Sequence, residues 1–305
     1  MILIADSGST SIEWSLIRRS GLAESFLSIG ANPVFLSEHS IIERFRDALM
    51  PFLPAEDGYV PHESIMKLEE VEEIYYYGAG VIPGEPANKV MEAFRYLFPR
   101  AAKIEVHSDM LGAARALFGN GRGLACILGT GSNCALYEAG EIVEKVNSGG
   151  FILGDEGGGA NMGLMLIADF VKGLLPSGIE KELKKQYPEI DYPSIVSQVY
   201  KGEMPSKYLA GFTYFIKEWE DDPYISSLIA RSFDSFFERN LVRFLRRDSA
   251  EGGTDKAGFV GSVAKVFESQ LIRSAQHHGF TVTEILDGIS DGLIKYHSEK
   301  QNGQQ

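Results

Sequence analysis

Apolar residues run without a break from Ile2 to Ala5 and stop at the turn Asp6-Ser-Gly-Ser-Thr10, after which Ile12, Trp14 and Leu16 alternate with polar residues. A short continuous apolar run predicts a strand buried on both faces, and a period of two predicts a strand buried on one. The chain therefore opens as strand, turn, strand, and a third strand is expected over about Glu24 to Ile29. Ile41, Ile42, Phe45 and Leu49 then recur at helical spacing. Beyond them the pattern predicts a strand over Glu72 to Tyr77, a helix over Pro86 to Leu97 and a strand over Ala102 to His107. Ser108 is placed to cap a helix over Met110 to Phe118.

The same order begins again at Leu124. Leu124-Ala-Cys-Ile-Leu128 is an apolar run, Gly129-Thr-Gly-Ser-Asn133 a turn and Cys134 to Tyr137 the return strand, followed by a strand over Ile142 to Val146. Laying Gly8 on Gly131 superimposes the two hairpins. Helices are predicted over Ala160 to Leu175, Ile179 to Gln186, Tyr192 to Tyr200 and Ile225 to Leu245. A short strand closes at Gly258-Phe-Val-Gly261, and a helix over Ser262 to His277 follows. Two long-period copies indicate an internal duplication, not a solenoid. The expected architecture is an α/β chain of two related lobes, 1–107 and 108–287, packed around a cleft, with a last helix at about 288–300 returning to the first lobe.

Composition narrows the class. Among 305 residues the formal charge is −13, which repels nucleic acid, and the acidic excess is spread along the chain. The longest uncharged stretch, Gly123 to Tyr137, is too short and polar to span a membrane. Met1 to Ala5 is too short for a signal-peptide core. The two cysteines, Cys126 and Cys134, make neither a disulfide framework nor a zinc quartet. These features predict a soluble, cytoplasmic protein. Glycine is the outlier, at 33 residues where an average share of about 7 % would give far fewer.

Many of the glycines sit in four turns that each follow an apolar run: Asp6–Thr10, Gly129–Asn133, Gly154–Gly159 and Gly258–Ser262. Glycine lets backbone N–H groups approach a ligand, and Ser and Thr hydroxyls add donors, so the set suits a polyphosphate. No G-x-x-x-x-G-K-[ST] loop and no strand-borne G-x-G-x-x-G occurs. Gly288-Ile-Ser-Asp-Gly292 matches a hydrolase elbow, but only His297 and Glu299 follow it as partners, so it is set aside. Among the carboxylates, Asp109 opens a helix behind a predicted strand, where it would face a cleft. Asp155 and Glu156 are crowded by glycines on both sides. Asp6 ends the first strand beside a Ser/Thr turn and could hold a Mg²⁺ that neutralises phosphate charge. Asn32, in Gly30-Ala-Asn-Pro33, suits a turn or a cleft edge.

Taken in order, these segments resemble the sugar-kinase/Hsp70/actin ATPase superfamily, and within it the BadF/BadG/BcrA/BcrD-type group that includes N-acetylglucosamine kinases. Asp6-Ser-Gly-Ser-Thr10 is similar to the first phosphate loop and Leu128-Gly-Thr-Gly-Ser-Asn133 to the second. Gly258-Phe-Val-Gly-Ser-Val-Ala264 resembles the adenosine segment. Ser108-Asp-Met-Leu-Gly-Ala-Ala-Arg-Ala-Leu117 looks like the catalytic-Asp helix, and Gly154-Asp-Glu-Gly-Gly-Gly159 like the family's acidic motif. The resemblance implies two ribonuclease H-like lobes around a nucleotide cleft, with ATP, Mg²⁺ and an amino sugar as reactants, N-acetylglucosamine foremost. It implies Asp109 as general base, Asn32, Asp109 and Asp155 on the sugar with Gly149 and Gly150 lining its pocket, and Asp6 on Mg²⁺ through water. Ser7, Gly8, Ser9 and Thr10, with Gly129, Thr130, Gly131 and Ser132, would hold the phosphates, and Gly261 and Ser262 the nucleoside.

Two positions depart from the pattern. Ser11 stands where related kinases often carry a basic residue, and Phe151-Ile152 where Trp-Gly is common. Two other readings stay open on sequence. One is an iron–sulfur ATPase activator of the 2-hydroxyacyl-CoA dehydratase type, which would need cluster cysteines at a dimer interface. The other is a non-catalytic sugar or nucleotide sensor. Phe233, Phe236, Phe237 and Phe244 fit an internal core or a homodimer contact.

Overall fold

The first strand, β1 (Ile2–Ser7), is buried through Ala5, and the sheet forms around it. β1, β2 (Ser11–Ile17) and β3 (Ala23–Ile29) make an antiparallel meander. After α1 (Glu38–Leu49) come β4 (Glu73–Gly78), α2 (Glu85–Leu97), β5 (Lys103–Ser108) and α3 (Asp109–Phe118). β4 adds parallel to β1 and β5 parallel to β4, in the order β3-β2-β1-β4-β5. This is a computed structural model describing residues 1–8, 11–50, 70–245 and 253–302. Ser9 and Thr10 of the first glycine turn lie outside the described residues.

The alternation of β1 decides where its last side chains go. Leu3, Ala5, Trp14, Ile74 and Tyr76 share the core with Ile41, Phe45 and Leu49 of α1 and Val90, Ala93 and Phe94 of α2. The i, i+4 spacing puts each set of helix residues on one stripe, and Phe45 packs against Trp14 at 5.2 Å and Phe94 at 4.8 Å between ring centroids. On the other face lie α3 and the C-terminal helix (Ser290–Asn302). There a Cβ on Gly292 would stand 2.7 Å from Ala116 Cβ, so the glycine sets the close approach of the two helices. His297 is hydrogen-bonded to the Tyr77 hydroxyl at 2.8 Å. It is therefore engaged by β4, and the elbow-like motif has no triad.

The second unit repeats the plan. β6 (Arg122–Leu128), β7 (Ser132–Glu138) and β8 (Glu141–Val146) form the meander. Next come α4 (Gly150–Leu153), α5 (Gly159–Val171), α6 (Ser177–Gln186), α7 (Tyr192–Lys201), α8 (Pro205–Ala210), α9 (Thr213–Glu218) and α10 (Pro223–Phe236). A π-helical turn over Phe237–Leu241 joins α10 to α11 (Val242–Leu245), followed by β9 (Lys256–Val260), α12 (Ser262–Val266), α13 (Glu268–His277) and β10 (Thr281–Leu286). The order β10-β9-β6-β7-β8, with β9 and β10 parallel to β6, is that of the first sheet. The chain is thus a two-lobed α/β fold with a duplicated five-stranded sheet.

Several expectations change. The division of the chain falls at Gly119/Asn120, with the segment from Ile289 onward in the first unit. The sequence placed the boundary at 107/108, but α3 packs on β4, β5 and the C-terminal helix and so stays with the first unit. The hairpins align Gly8 with Gly129, each following the last strand residue, and not with Gly131. Gly8 N–H donates to the Ser11 carbonyl at 2.9 Å and Gly129 N–H to the Gly131 carbonyl at 3.0 Å, so the second turn is one residue tighter. The predicted helix Ile225–Leu245 is interrupted by the π turn, where Asn240 Nδ2 donates to the Phe236 carbonyl at 3.1 Å. The predicted helix Ser262–His277 breaks at Phe267, whose φ of −108° and ψ of 31° leave the helical region. α8, α9 and β10 went unpredicted. The two helices have six residues each, too few to show a period, and β10 slips register between Val282 and Glu284, which breaks its alternation. Phe233, Phe236, Phe237 and Phe244 are fully enclosed within the second unit, so the internal reading holds.

α5 and α8 cross with almost no room between them: a Cβ on Gly163 would lie 1.9 Å from the Leu209 carbonyl oxygen. Backbone must move to admit even a methyl group. Gly163→Ala is therefore expected to cost about 2–3 kcal/mol, read as a lowered urea midpoint at unchanged m-value. A midpoint equal to wild type would contradict the crossing as described.

Candidate functional site

In the first unit the parallel strands β1, β4 and β5 end together, with Asp6, Tyr77 and His107 in register. The turns at these ends, together with the one after β3, carry the candidate residues. Asp109 follows β5 without an intervening loop. Ser108, with extended backbone, caps α3 by accepting from Leu111 N–H at 3.4 Å. Asp109 Oδ1 accepts from Met110 N–H at 2.7 Å, so its carboxylate is held at the helix start. Asn32 is fixed from below: Tyr76 Oη donates to the Ala31 carbonyl at 3.2 Å, and the Arg44 guanidinium donates to the Gly30 carbonyl. The Asn32 side-chain oxygen accepts from Val34 N–H at 3.0 Å, an Asx turn. Gly80, at φ +78°, leaves the space this side chain occupies, since a Cβ there would meet Asn32 Oδ1 at 2.4 Å.

Asp6 lies on the face of β1 opposite the α1/α2 core. Its carboxyl is pushed up to about 7, first by burial, then by the charges of Glu13 and Asp109. Glu13 stands directly across the hairpin from Asp6. The motif reading missed it, although the period-two alternation of Ile12, Trp14 and Leu16 already put Glu13 on the Asp6 face. A partly buried carboxylate, raised by desolvation and then by two acidic neighbours, is the chemistry that a hydrated divalent cation relieves, so these residues fit Mg²⁺. Among the described residues no three His, Cys, Asp or Glu side chains converge as a ligand set, so a cation here would keep most of its own water.

Ser7 stands apart from the other candidates of the first turn. Strand alternation turns it to the α1/α2 side beside Tyr76, where its Oγ is buried and, among the described residues, makes no well-formed hydrogen bond. Its side chain does not face the loop, and its carbonyl accepts from Ala79 N–H at 2.8 Å. Gly8 is exposed and next to the turn.

The Asp6 shift has a direct consequence for stability. An acid whose folded pKa exceeds its unfolded value favours the folded state when protonated. This contribution is complete below about pH 4 and lost as pH rises to about 7. In EDTA, Asp6→Asn is expected to be more stable than wild type by a few kcal/mol at pH 8, at about 1.4 kcal/mol per pKa unit, and equal to it near pH 4. Parallel stability–pH curves for the two proteins would contradict the burial of this charge.

In the second unit the site is built around Asp155. The Gly129–Gly131 turn is buttressed by the start of α5: Gly159 N–H donates to the Gly129 carbonyl and Ala160 N–H to the Thr130 carbonyl, both at 2.8 Å. Asp155 Oδ1 accepts from Ser132 N–H at 3.1 Å. Its backbone sits at φ +58°, a left-handed conformation uncommon for a residue with a side chain. Gly131 makes room for it, because a Cβ there would stand 2.6 Å from Asp155 Oδ2. Burial raises the Asp155 carboxyl, the Ser132 N–H opposes the rise and the Glu156 charge adds to it. Asp155 N–H also donates to the Ser148 carbonyl at 3.3 Å, which brings Gly149 alongside.

The two neighbouring acids part company. Glu156 is buried and paired with Arg239 of the π turn at 2.6 Å, so it anchors the loop. Behind it Gly157 N–H donates to Ser232 Oγ at 3.2 Å, and Ser232 donates to Asn161 Oδ1 at 2.7 Å. Sequence spacing gave no sign of this support, since its partners are tens of residues away. Gly149 and Gly150 both have positive φ, 76° and 70°. In the short turn that follows, Phe151 packs on the core and Ile152 is 76 % exposed. Gly261, at φ +115°, approaches the same hairpin: a Cβ would lie 2.6 Å from the Leu128 carbonyl, and Ser262 starts α12 beside it. The structure thus gathers Gly129–Ser132, Gly149, Asp155 and Gly261 in the second unit, and Asp6, Gly8, Asn32 and Asp109 at one end of the sheet in the first.

Cys126 and Cys134 face each other across β6 and β7, Sγ to Sγ 3.8 Å, inside the core. Neither thiol is at a surface that a second subunit could share.

No protein-family model matches the chain, and neither does any curated protein. Among solved structures, it is similar to a candidate N-acetylglucosamine kinase from Porphyromonas gingivalis, at 36 % identity and a TM-score of 0.86 over 99 % of this chain and 100 % of that one. The chain belongs to the actin-like sugar-kinase superfamily. A second candidate N-acetylglucosamine kinase, from Chromobacterium violaceum, shares the fold at 16 % identity and a TM-score of 0.70, over 97 % of this chain and 98 % of that one. The ethanolamine utilization protein EutJ from Carboxydothermus hydrogenoformans shares it at 14 % identity and a TM-score of 0.50, over 96 % and 86 %. The doubled sheet and the likeness to the Porphyromonas gingivalis structure agree on the superfamily. No described helix is long and apolar enough to cross a membrane.

Proposed function

We propose that this sugar-kinase superfamily member transfers the γ-phosphoryl group of ATP to a hydroxyl of an amino sugar, N-acetylglucosamine foremost, in the cytoplasm. The observation that carries the reading is Asp109: a carboxylate locked at the start of α3, at the strand end that also bears Asp6. The likeness to the candidate N-acetylglucosamine kinase from Porphyromonas gingivalis supports the choice of sugar.

In this account Asp109 takes the proton of the sugar hydroxyl as its oxygen attacks the γ-phosphorus. The new O–P bond forms as the bond to the bridging oxygen breaks, and ADP leaves with that electron pair. Asn32 keeps its amide N–H₂ available for a sugar hydroxyl, because its oxygen is committed to the Asx turn. Asp155 accepts from another sugar hydroxyl, beside Gly149 and Gly150. Gly8, Ser9 and Thr10 of the first turn and the Thr130 and Gly131 N–H groups of the second meet the phosphates, and Gly261 and Ser262 adjoin the nucleoside. Asp6, with Glu13 beside it, would hold Mg²⁺ through water, and that ion supplies the positive charge that Ser11 does not. The test is ADP release from Mg·ATP with N-acetylglucosamine, glucosamine, N-acetylmannosamine, glucose, N-acetylmuramic acid or no sugar. Strong stimulation by N-acetylglucosamine is expected, and equal rates with and without every sugar would overturn the reading.

A further inference from the structure

The helices inserted between α5 and α10 line an open cleft of about 560 Å³ that the phosphoryl-transfer account does not use. Its size is that of a small-molecule site, for which roughly 300–1,000 Å³ is usual. Tyr187, Tyr208 and Phe212 line it, with Tyr187 and Phe212 tilted at 54° and 5.0 Å, and Tyr208 edge-on to Phe212 at 88° and 5.3 Å. Gln198, Lys207 and Glu189 stand around these rings. Burial raises the phenols of both Tyr187 and Tyr208. Among the described residues, neither hydroxyl is taken up by an intramolecular hydrogen bond, and the side chains of Gln198, Lys207 and Glu189 are likewise unengaged.

We infer that this cleft is a second, non-catalytic saccharide site that takes a neutral pyranose as mono- or disaccharide. The rings meet at steep angles and form no parallel slot, so a flat base cannot be sandwiched between them. A puckered ring can lay its C–H face on one aromatic wall and turn its hydroxyls outward. The surrounding groups then supply both kinds of partner: Gln198 donates and accepts, Lys207 donates and Glu189 accepts. Lys207 stands against Glu189, and the Glu218 charge also acts on Tyr187, so the surroundings are more negative than positive and suit an uncharged polyol better than a phosphate ester. The site is set apart from the candidate phosphate turn by α5, whose Gly159 and Gly163 contact the α8–α9 segment directly. It depends on neither Asp109 nor ATP, so it stands whether or not the chain is a kinase.

The experiment is isothermal titration of the full chain with N-acetylglucosamine, N,N′-diacetylchitobiose, methyl β-glucopyranoside and adenosine, on wild type and on the exposed double variant Gln198→Ala/Lys207→Ala. Wild type should show a saccharide-binding event that weakens at least tenfold in the double variant, at an unchanged unfolding midpoint. Tyr208→Phe, which deletes only a hydroxyl, should weaken the same event severalfold. Saccharide binding identical in all three proteins would overturn the proposal, as would loss in the double variant of adenosine binding alone.

Discussion

Asp109→Asn is expected to lower kcat by about 10²–10⁴, the usual contribution of a positioned general base, while ATP still binds. The substitution is well suited to separating chemistry from structure. Asparagine keeps an oxygen to accept from Met110 N–H, and the Ser108 cap on Leu111 N–H is untouched. Helix α3 should therefore stay in place, and the loss of one charge beside Asp6 should if anything help the fold. What asparagine cannot do is take a proton at neutral pH. Single-turnover kinetics with saturating sugar and Mg·ATP read the effect, and turnover within twofold of wild type would remove Asp109 from the mechanism.

Gly131→Val is the second large effect, and it should act on binding. A Cβ at this position lies 2.6 Å from Asp155 Oδ2 and 2.8 Å from its Cγ, so valine pushes out a carboxylate that the Ser132 N–H holds at 3.1 Å. It also puts a side chain where the turn's N–H groups must meet phosphate. Loss of one charge-assisted hydrogen bond and of close approach together predicts nucleotide affinity lowered by at least about tenfold, on the scale of 1.5–3 kcal/mol per such bond. Because Asp155 moves as well, the sugar KM should rise in the same variant. Titration with ADP and a sugar saturation curve measure the two effects, and normal ADP affinity would count against this turn as a phosphate site.

Much of this was legible in the residues. Apolar runs and their alternation located the meander strands of both lobes, because a strand enclosed on one or two faces leaves a short-range trace. The paired Gly/Ser/Thr turns marked the strand ends for the same reason. Long-range support left no such trace. Nothing near Glu156 in sequence announces Arg239, and nothing near Gly157 announces Ser232. The resemblance groups Ser7 with the first phosphate loop, yet alternation along β1 turns its side chain to the core side beside Tyr76. The boundary at 107/108 followed the strand–helix junction, whereas the packing of α3 on its own sheet keeps it in the first unit. Short helices such as α8 and α9, and a slipped edge strand such as β10, are held by tertiary contacts and carry too few residues to show a period.

The most direct test of the central claim is to incubate the protein with Mg·ATP and N-acetylglucosamine and follow both products, ADP by coupled assay and the sugar by mass spectrometry. The account predicts a sugar phosphomonoester appearing in step with ADP. ADP formed while the sugar stays unmodified, or neither product from protein that binds nucleotide, would contradict it.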